Sequence, residues 1–298
     1  MTTCSLLVRQ VAVLAGLLLA APAVQAQEGH AKTAEIERQS WSFGGPFGGF
    51  NQAQLQRGYQ VYREVCSNCH SMQFMSFRNL SQPGGPAFTE SQVKALAASF
   101  KVQDGPNDAG EMFERPGRAS DPLPRPFPNE QAARAANGGA YPPDMSVLAK
   151  ARDTEGPWYE FLIAPFTQYQ EGGVDYIHAL LNGYTEAPKD AHLPAGKYYN
   201  LYFPGHAISM PKPLNEGQVE YTDGSPKTVD QYSKDVAAFL TWVAEPKLMQ
   251  RKATGLTVVV FLIVFASLLY AVKRRVWAGL HDTSGTPIDH LTPTSRGA

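Results

Sequence analysis

Cys66-Ser67-Asn68-Cys69-His70 sets two thiols three residues apart, with an imidazole directly after the second. In an exported chain, C-x-x-C-H is the attachment pattern of a c-type haem. The spacing has a physical reason. Helix positions i, i+3 and i+4 share one face, so both sulfurs can bond the porphyrin vinyl carbons while His70 reaches the iron. A zinc site would need two further ligands, and no second cysteine pair exists. A thioredoxin-like redox pair belongs in a βαβ context, which this sequence does not offer. The pentapeptide therefore reads as a covalent haem c site.

His70 fills one axial position, and the other decides the chemistry. An open sixth position suits a peroxidase or a gas sensor, whereas a Met thioether suits electron transfer at raised potential. Met1 is expected to leave with a leader, Met72 and Met75 sit too near His70 to cross the ring, and Met249 belongs to a membrane stalk. Met112, Met145 and Met210 remain. Met210 stands in Gly205-His206-Ala207-Ile208-Ser209-Met210-Pro211-Lys212-Pro213, where prolines stiffen the backbone presenting it. Most methionines only fill core space, and His206 is a rival donor. Residue chemistry alone leaves the choice open.

The rest of the chain must hold this site. A length of 298 residues, 43% hydrophobic and 18% charged, is ordinary for a globular protein and excludes a disordered or collagen-like one. A net charge of −1 lacks the surplus Lys and Arg of a nucleic-acid binder. Three cysteines are too few for a disulfide framework. Arg9, the apolar run at 11–21 and Val24-Gln25-Ala26 predict a signal peptide over residues 1–26, which takes Cys4 with it. Residues 255–272, GLTVVVFLIVFASLLYAV, carry no charge and suffice for one spanning helix. Lys247, Arg251 and Lys252 precede the span and Lys273, Arg274 and Arg275 follow it, so flanking charge sets no orientation. The leader does. It predicts an exported domain over 27–247, an anchor over 248–275 and an internal tail over 276–298. Residues 27–245 hold 18 basic and 25 acidic side chains, a net of −7, against +5 from residue 246 onward.

Within the exported domain, Asn51 with Gln54 caps a helix whose apolar face runs Leu55, Tyr59, Tyr62, Val65 and Cys69. Thr89 with Gln92 opens a second, carrying Val93, Leu96 and Phe100. Residues 130–137 form an Ala-rich third that stops at Gly138-Gly139. Residues 175–182 form a fourth. Thr228 with Gln231 opens the last, with Val229, Tyr232, Val236, Phe239, Leu240 and Val243 on one stripe. The five prolines between 116 and 128 favour extended backbone. Alternating strands are scarce, and the Gly-rich stretch at 44–49 has no strand before it, so it reads as a turn rather than a phosphate loop. Asp104, Asp108, Glu111 and Glu114 lie in what should be a surface loop.

Several blocks carry a family resemblance. RGYQVYREVCSNCH, VQDGPNDAGEMFERPG, AARAANGGAYPPDMS and YYNLYFPGHAISMP, with the single C-terminal anchor, resemble the cytochrome c1 family of the quinol–cytochrome c oxidoreductase, the bc1 complex. The likeness runs over residues 41–277, and FGGPFGGFNQAQLQRG points to alphaproteobacterial members. It implies an all-α, class I cytochrome c-like haem domain with long irregular loops, plus one C-terminal transmembrane helix. It implies one haem c, with Met210 as sixth ligand, Arg152 on a haem propionate, and Asn137, Pro142, Pro143 and Tyr176 lining the pocket. The chain itself would be an electron carrier without catalytic residues. Electrons would come from the Rieske iron–sulfur protein and leave to a soluble or membrane-bound cytochrome c. Cytochrome b would hold the anchor in a dimeric complex of the bacterial inner membrane, among lipid and with no nucleic acid. The haem domain would lie in the periplasm and the C-terminus in the cytoplasm. The competing readings are a membrane-anchored peroxidase with an open sixth position and His206 as its acid–base candidate, and a monohaem subunit of a terminal oxidase. The chain departs from the family in an apolar insert between Arg152 and Gly172, in having no cysteines for the extra disulfide of some bacterial members, and in Met145 where Leu is common.

Overall fold

The computed structural model describes residues 34–152, 159, 172–189 and 191–281. The expected signal peptide at 1–26, the insert at 153–171 apart from Tyr159, and the tail from 282 lie outside the described residues. In chain order the described elements are α1 (Gln52–Glu64), α2 (Glu90–Ala98), β1 (Lys101–Asp104), β2 (Phe113–Pro116), α3 (Glu130–Ala136), α4 (Leu148–Ala151), α5 (Gly172–Asn182), β3 (Tyr198–Tyr199), β4 (Ala207–Ile208), α6 (Val229–Ala244) and α7 (Leu248–His281). Short 3-10 turns cover Cys66–Asn68 and Phe77–Ser81. The fold is mostly helical, as expected.

The caps predicted from sequence are present. Asn51 Oδ1 accepts from the Gln54 N–H at 3.1 Å, and Thr228 Oγ1 accepts from that of Gln231 at 3.2 Å. These bonds satisfy N–H groups that the first helical turn leaves unpaired. Leu55, Tyr59 and Tyr62 of α1 face Tyr232, Val236, Phe239 and Leu240 of α6, and all are buried. Gly58 allows the two helices to touch backbone to backbone. A Cβ there would lie 2.1 Å from the Asp235 carbonyl oxygen and 2.6 Å from Phe239 Cβ. Beside the crossing, Arg57 forks onto the fully buried Asp235, Nε to Oδ2 at 2.8 Å and Nη2 to Oδ1 at 3.1 Å. Its Nη1 reaches Asp223 at 2.7 Å. Hydrogen bonds to Asp235 are the main reason the guanidinium pKa rises. Gln231 Nε2 donates to Asp235 as well, at 2.9 Å. Both partners are thus satisfied, the condition under which a buried ion pair is tolerated.

Two small antiparallel sheets were not foreseen. β1 pairs with β2, Lys101 opposite Pro116 and Asp104 opposite Phe113, where a surface loop was expected. β3 pairs with β4. The first hairpin escapes sequence detection because its strands reach only half-burial, with no fully buried face to demand an apolar alternation. Arg115 ties it down by bridging Asp104 and Asp121. Hydrogen bonds from Arg115 hold the Asp121 carboxyl at about 2.

The anchor helix begins inside the domain. Leu248 is buried, and so is Lys252, whose Nζ donates to the carbonyls of Phe43 at 2.5 Å and Gly45 at 2.6 Å. Lys252 is therefore not one of the solvated bases that flank the span. Glu245 accepts from Arg251 Nε at 2.5 Å and pairs with Lys150 at 3.0 Å. From Leu256 to Trp277 the large apolar side chains are exposed, as a lipid-facing helix requires. A chain ending at Glu245 is expected to hold haem but to melt below one ending at Ala253. The shorter form loses the burial of Leu248, a side chain contributing about 1.5–3 kcal/mol, together with the Lys252 contacts. Equal melting temperatures would remove the helix start from the domain.

Candidate haem site

α1 stops at Glu64 because polar side chains take over its last carbonyls. Ser67 Oγ donates to the Arg63 carbonyl at 2.8 Å, and Asn68 Nδ2 donates to those of Glu64 and Val65 at 3.3 and 3.2 Å. The pentapeptide consequently sits on a tight turn rather than on the regular helix expected. The Cys69 and His70 N–H groups both donate to the Cys66 carbonyl, at 3.1 and 2.9 Å. Cys66 is half-buried and Cys69 exposed, and neither forms a disulfide. Burial pushes the Cys66 thiol up to about 12. His70 is buried, and its Nδ1 lies 2.8 Å from the Pro143 carbonyl oxygen. That oxygen can only accept, so Nδ1 carries the proton and the Nε2 lone pair is left for a ligand. Burial lowers the His70 pKa and favours the neutral, coordinating form.

Pro142 and Pro143 are positioned by a carboxylate that sequence reasoning passed over. Asp144 accepts from Ser71 Oγ at 2.8 Å, from the Gln73 N–H at 2.9 Å and from the Ser146 N–H at 2.9 Å. Burial would raise its pKa, but these bonds outweigh burial and keep the carboxylate ionised. The Asp-x-Ser pattern at 144–146 was the available signal, since such side chains bond nearby backbone. The Met145 N–H donates to the Ser71 carbonyl at 2.8 Å and its side chain is core, in keeping with a packing role. A cavity of about 90 Å³ opens beside Cys69, lined by Phe127, Ala133, Tyr141 and Pro142. Asn137 ends α3 behind it and donates to the Ala133 carbonyl at 2.7 Å.

A second group gathers around Met210. Tyr184 Oη donates to the Met210 carbonyl at 3.1 Å. Burial raises the Tyr184 phenol and the neighbouring Tyr176 raises it further. Tyr176 is itself raised by burial and drawn back by the charge of Arg152. Arg152 ends α4 and is exposed. The hairpin that presents Met210 hangs on the fully buried Asn200. Its Nδ2 donates to the Leu180 carbonyl at 2.8 Å, while Oδ1 accepts from the Tyr202 and Phe203 N–H groups at 3.0 and 3.2 Å. Gly183 makes this approach possible, since a Cβ there would lie 2.8 Å from Asn200 Oδ1. His206 Nδ1 likewise faces a carbonyl, that of Asn200 at 3.0 Å, and its ring stacks on Tyr199 at 5.3 Å. Met112 is 61% exposed on the first hairpin. Met210 is half-buried against the core. Tyr184 had no periodic or motif signal, and Asn200, although inside the YYNLYFPGHAISMP block, had none that marked its bonding role.

Residues 41–280 match the Cytochrome C1 family. The chain belongs to that family. It is 58% identical over 242 residues to the cytochrome b/c1 of Bradyrhizobium diazoefficiens, covering 81% of this chain but only 35% of that longer protein. It is 49% identical to the cytochrome c1 of Blastochloris viridis, covering 87% and 92% of the two chains. The cytochrome c1 of Rhodospirillum rubrum is 44% identical, with 91% and 97% covered. The chain is accordingly a haem-bearing electron-transfer subunit of a bc1 complex, alongside cytochrome b and a Rieske protein, and carries one covalently bound haem c. The residues fit that group: two unbridged thiols on one turn, a neutral buried imidazole with Nε2 left over, and a half-buried thioether. Neither a peroxidase nor a terminal-oxidase subunit is favoured.

Proposed function

We propose that Cys66 and Cys69 form the thioether bonds to haem c, and that His70 Nε2 and Met210 Sδ hold its iron. Arg152 pairs with a propionate, and Asn137, Pro142, Pro143 and Tyr176 line the pocket. The observation that carries this reading is the 2.8 Å contact between His70 Nδ1 and the Pro143 carbonyl, which leaves Nε2 for iron on the turn that carries both thiols. Bound haem supplies one-electron iron chemistry, and a thioether ligand favours the ferrous state. The chain's own residues keep the imidazole neutral, fix its orientation and hold the Met210 backbone. Residues 27–247 form a periplasmic domain after removal of 1–26, residues 248–275 cross the inner membrane, and 276–298 lie in the cytoplasm. Electrons pass from the Rieske protein through this haem to a cytochrome c, within a dimeric complex embedded in lipid.

Tyr184→Phe removes only the oxygen that holds the Met210 carbonyl. Losing one hydrogen bond costs about 1 kcal/mol, roughly a fivefold shift toward detached Met210 in the oxidised protein. The far-red Met–iron charge-transfer band should weaken while covalent haem content stays full. An unchanged band would show that Tyr184 does not position the ligand.

The acceptor is steered by charge. Of the four acids expected to face it, Asp104 pairs with Arg115, and Glu114 lies 3.8 Å from Lys101 and accepts from Gln103 at 3.1 Å. Asp108 and Glu111 keep exposed carboxylates at the hairpin tip. Steering fades over a Debye length of about 8 Å at physiological salt. Stopped-flow oxidation of the reduced complex by a basic cytochrome c should slow steeply with ionic strength, and Asp108→Asn with Glu111→Gln should flatten that slope. A salt-independent rate would mean an apolar or tethered acceptor.

A further inference from the structure

The Gly-rich stretch at 44–49, read from sequence as a plain turn, is a built loop with an apolar tip. The Gly44 N–H donates to the Trp41 carbonyl at 3.0 Å and the Gly49 N–H to that of Ser42 at 2.8 Å, closing the loop on itself. A Cβ on Gly48 would lie 1.9 Å from the Gly44 oxygen, so no other residue fits there. Phe43 is core, between Trp41 at 5.5 Å and Phe50 at 4.8 Å. Phe47, at the tip, is 81% exposed. Leaving a Phe ring in water forgoes about 1.5–3 kcal/mol of burial, and this loop is too constrained to turn the ring inward.

The loop's position suggests what covers the ring. Lys252 holds the Phe43 and Gly45 carbonyls, and Met249 Cε would lie 2.8 Å from a Cβ on Gly49. The loop is therefore fixed at the level of residues 249–252 of α7. The charge-free run starts at Ala253 and ends at Val272. At 1.5 Å per residue that run spans about 30 Å, the thickness of a hydrocarbon core. The membrane surface consequently lies at about Lys252. Phe47 is two residues from Gly45, hence within about 7 Å of it. The headgroup layer is about 5–8 Å deep on each side. The geometry points to Phe47 inserting into the headgroup–acyl boundary of the bilayer that α7 spans, as a second, monotopic contact of the haem domain with lipid. Lys247, exposed directly before α7, suits anionic headgroups.

The inference rests on α7 crossing the bilayer with the haem domain on one side, and its test separates the two. With Cys66 and Cys69 taken up by haem and Cys4 in the leader, the mature chain offers no other thiol. A single cysteine can therefore carry a nitroxide. Phe47→Cys, Phe74→Cys and Leu262→Cys are made in the full haem-loaded chain, in vesicles of equal phosphatidylcholine and phosphatidylglycerol. Collision with oxygen, which enters lipid, is compared with collision with a nickel chelate, which does not. Leu262, in mid-span, should give the highest oxygen-to-nickel ratio. Phe74, 78% exposed outside the loop, should give the aqueous value. Phe47 should exceed Phe74 severalfold and remain below Leu262. A Phe47 ratio equal to that of Phe74, with Leu262 immersed, overturns the lipid contact alone. A label at 47 shielded from both reagents overturns it too, in favour of a protein surface. An aqueous ratio at Leu262 overturns the membrane span on which the inference stands.

Discussion

Met210→Leu should leave haem covalently attached and abolish the far-red band of the oxidised protein. Cys66, Cys69 and His70 stay on the turn that follows α1, and their hydrogen bonds do not involve the hairpin carrying Met210. Attachment and sixth ligation are therefore separable. Removing a soft thioether withdraws the preference for ferrous iron, so the potential should fall by on the order of 0.1–0.2 V, within the ~0.8 V that axial ligands cover. Met210→Lys should fall at least as far and stop turnover. The discriminating control is Met145→Leu, whose side chain is core and whose backbone is bound to Ser71. A band that survives Met210→Leu and vanishes in Met145→Leu would move the ligand to Met145.

Gly58→Ala should be a severely damaging single-atom-scale change in the helical core. The new methyl would meet the Asp235 carbonyl at 2.1 Å and Phe239 Cβ at 2.6 Å, on a helix already held by the Arg57–Asp235 fork. Backbone on both sides cannot rotate away as a side chain could. Overpacking costs about 1–3 kcal/mol and occasionally more, and a clash with backbone belongs near the upper figure. For a domain of this size that lowers the melting temperature by roughly 6–12 °C. Thermal unfolding of the haem-loaded chain measures it, and an unaltered midpoint would show that the crossing is looser than drawn.

What the sequence revealed divides by the kind of force involved. Amphipathic stripes and caps announce themselves locally, so α1, α2 and α6 were readable from Asn51, Thr89, Thr228 and their apolar partners. The pentapeptide was readable because covalent chemistry restricts residue type and spacing. Arg152 and the prolines at 142 and 143 became visible only through family resemblance, since one exposed guanidinium and two prolines look like ordinary loop. Asp144, Tyr184 and Asn200 stayed hidden for a common reason. Each acts by bonding backbone that is distant in sequence or irregular in shape, and such pairings have no period. Lys252 misled outright: its charge suggested a solvated flank, yet the carbonyls of Phe43 and Gly45 solvate it instead.

The pairing of α1 with α6 also sets a clock. Arg57 and Asp235 are 178 residues apart, so at about 5–20 residues per second roughly 10–35 s of synthesis separate the two halves of the crossing. Throughout that interval the helix before the two thiols lacks its α6 partner, although the segment that brings Phe88 to 5.7 Å from Tyr59 is already made. Covalent modification within that interval would meet a more accessible Cys66. The last helix of the domain to emerge shuts the window, turning Cys66 from a free side chain into one packed against the core.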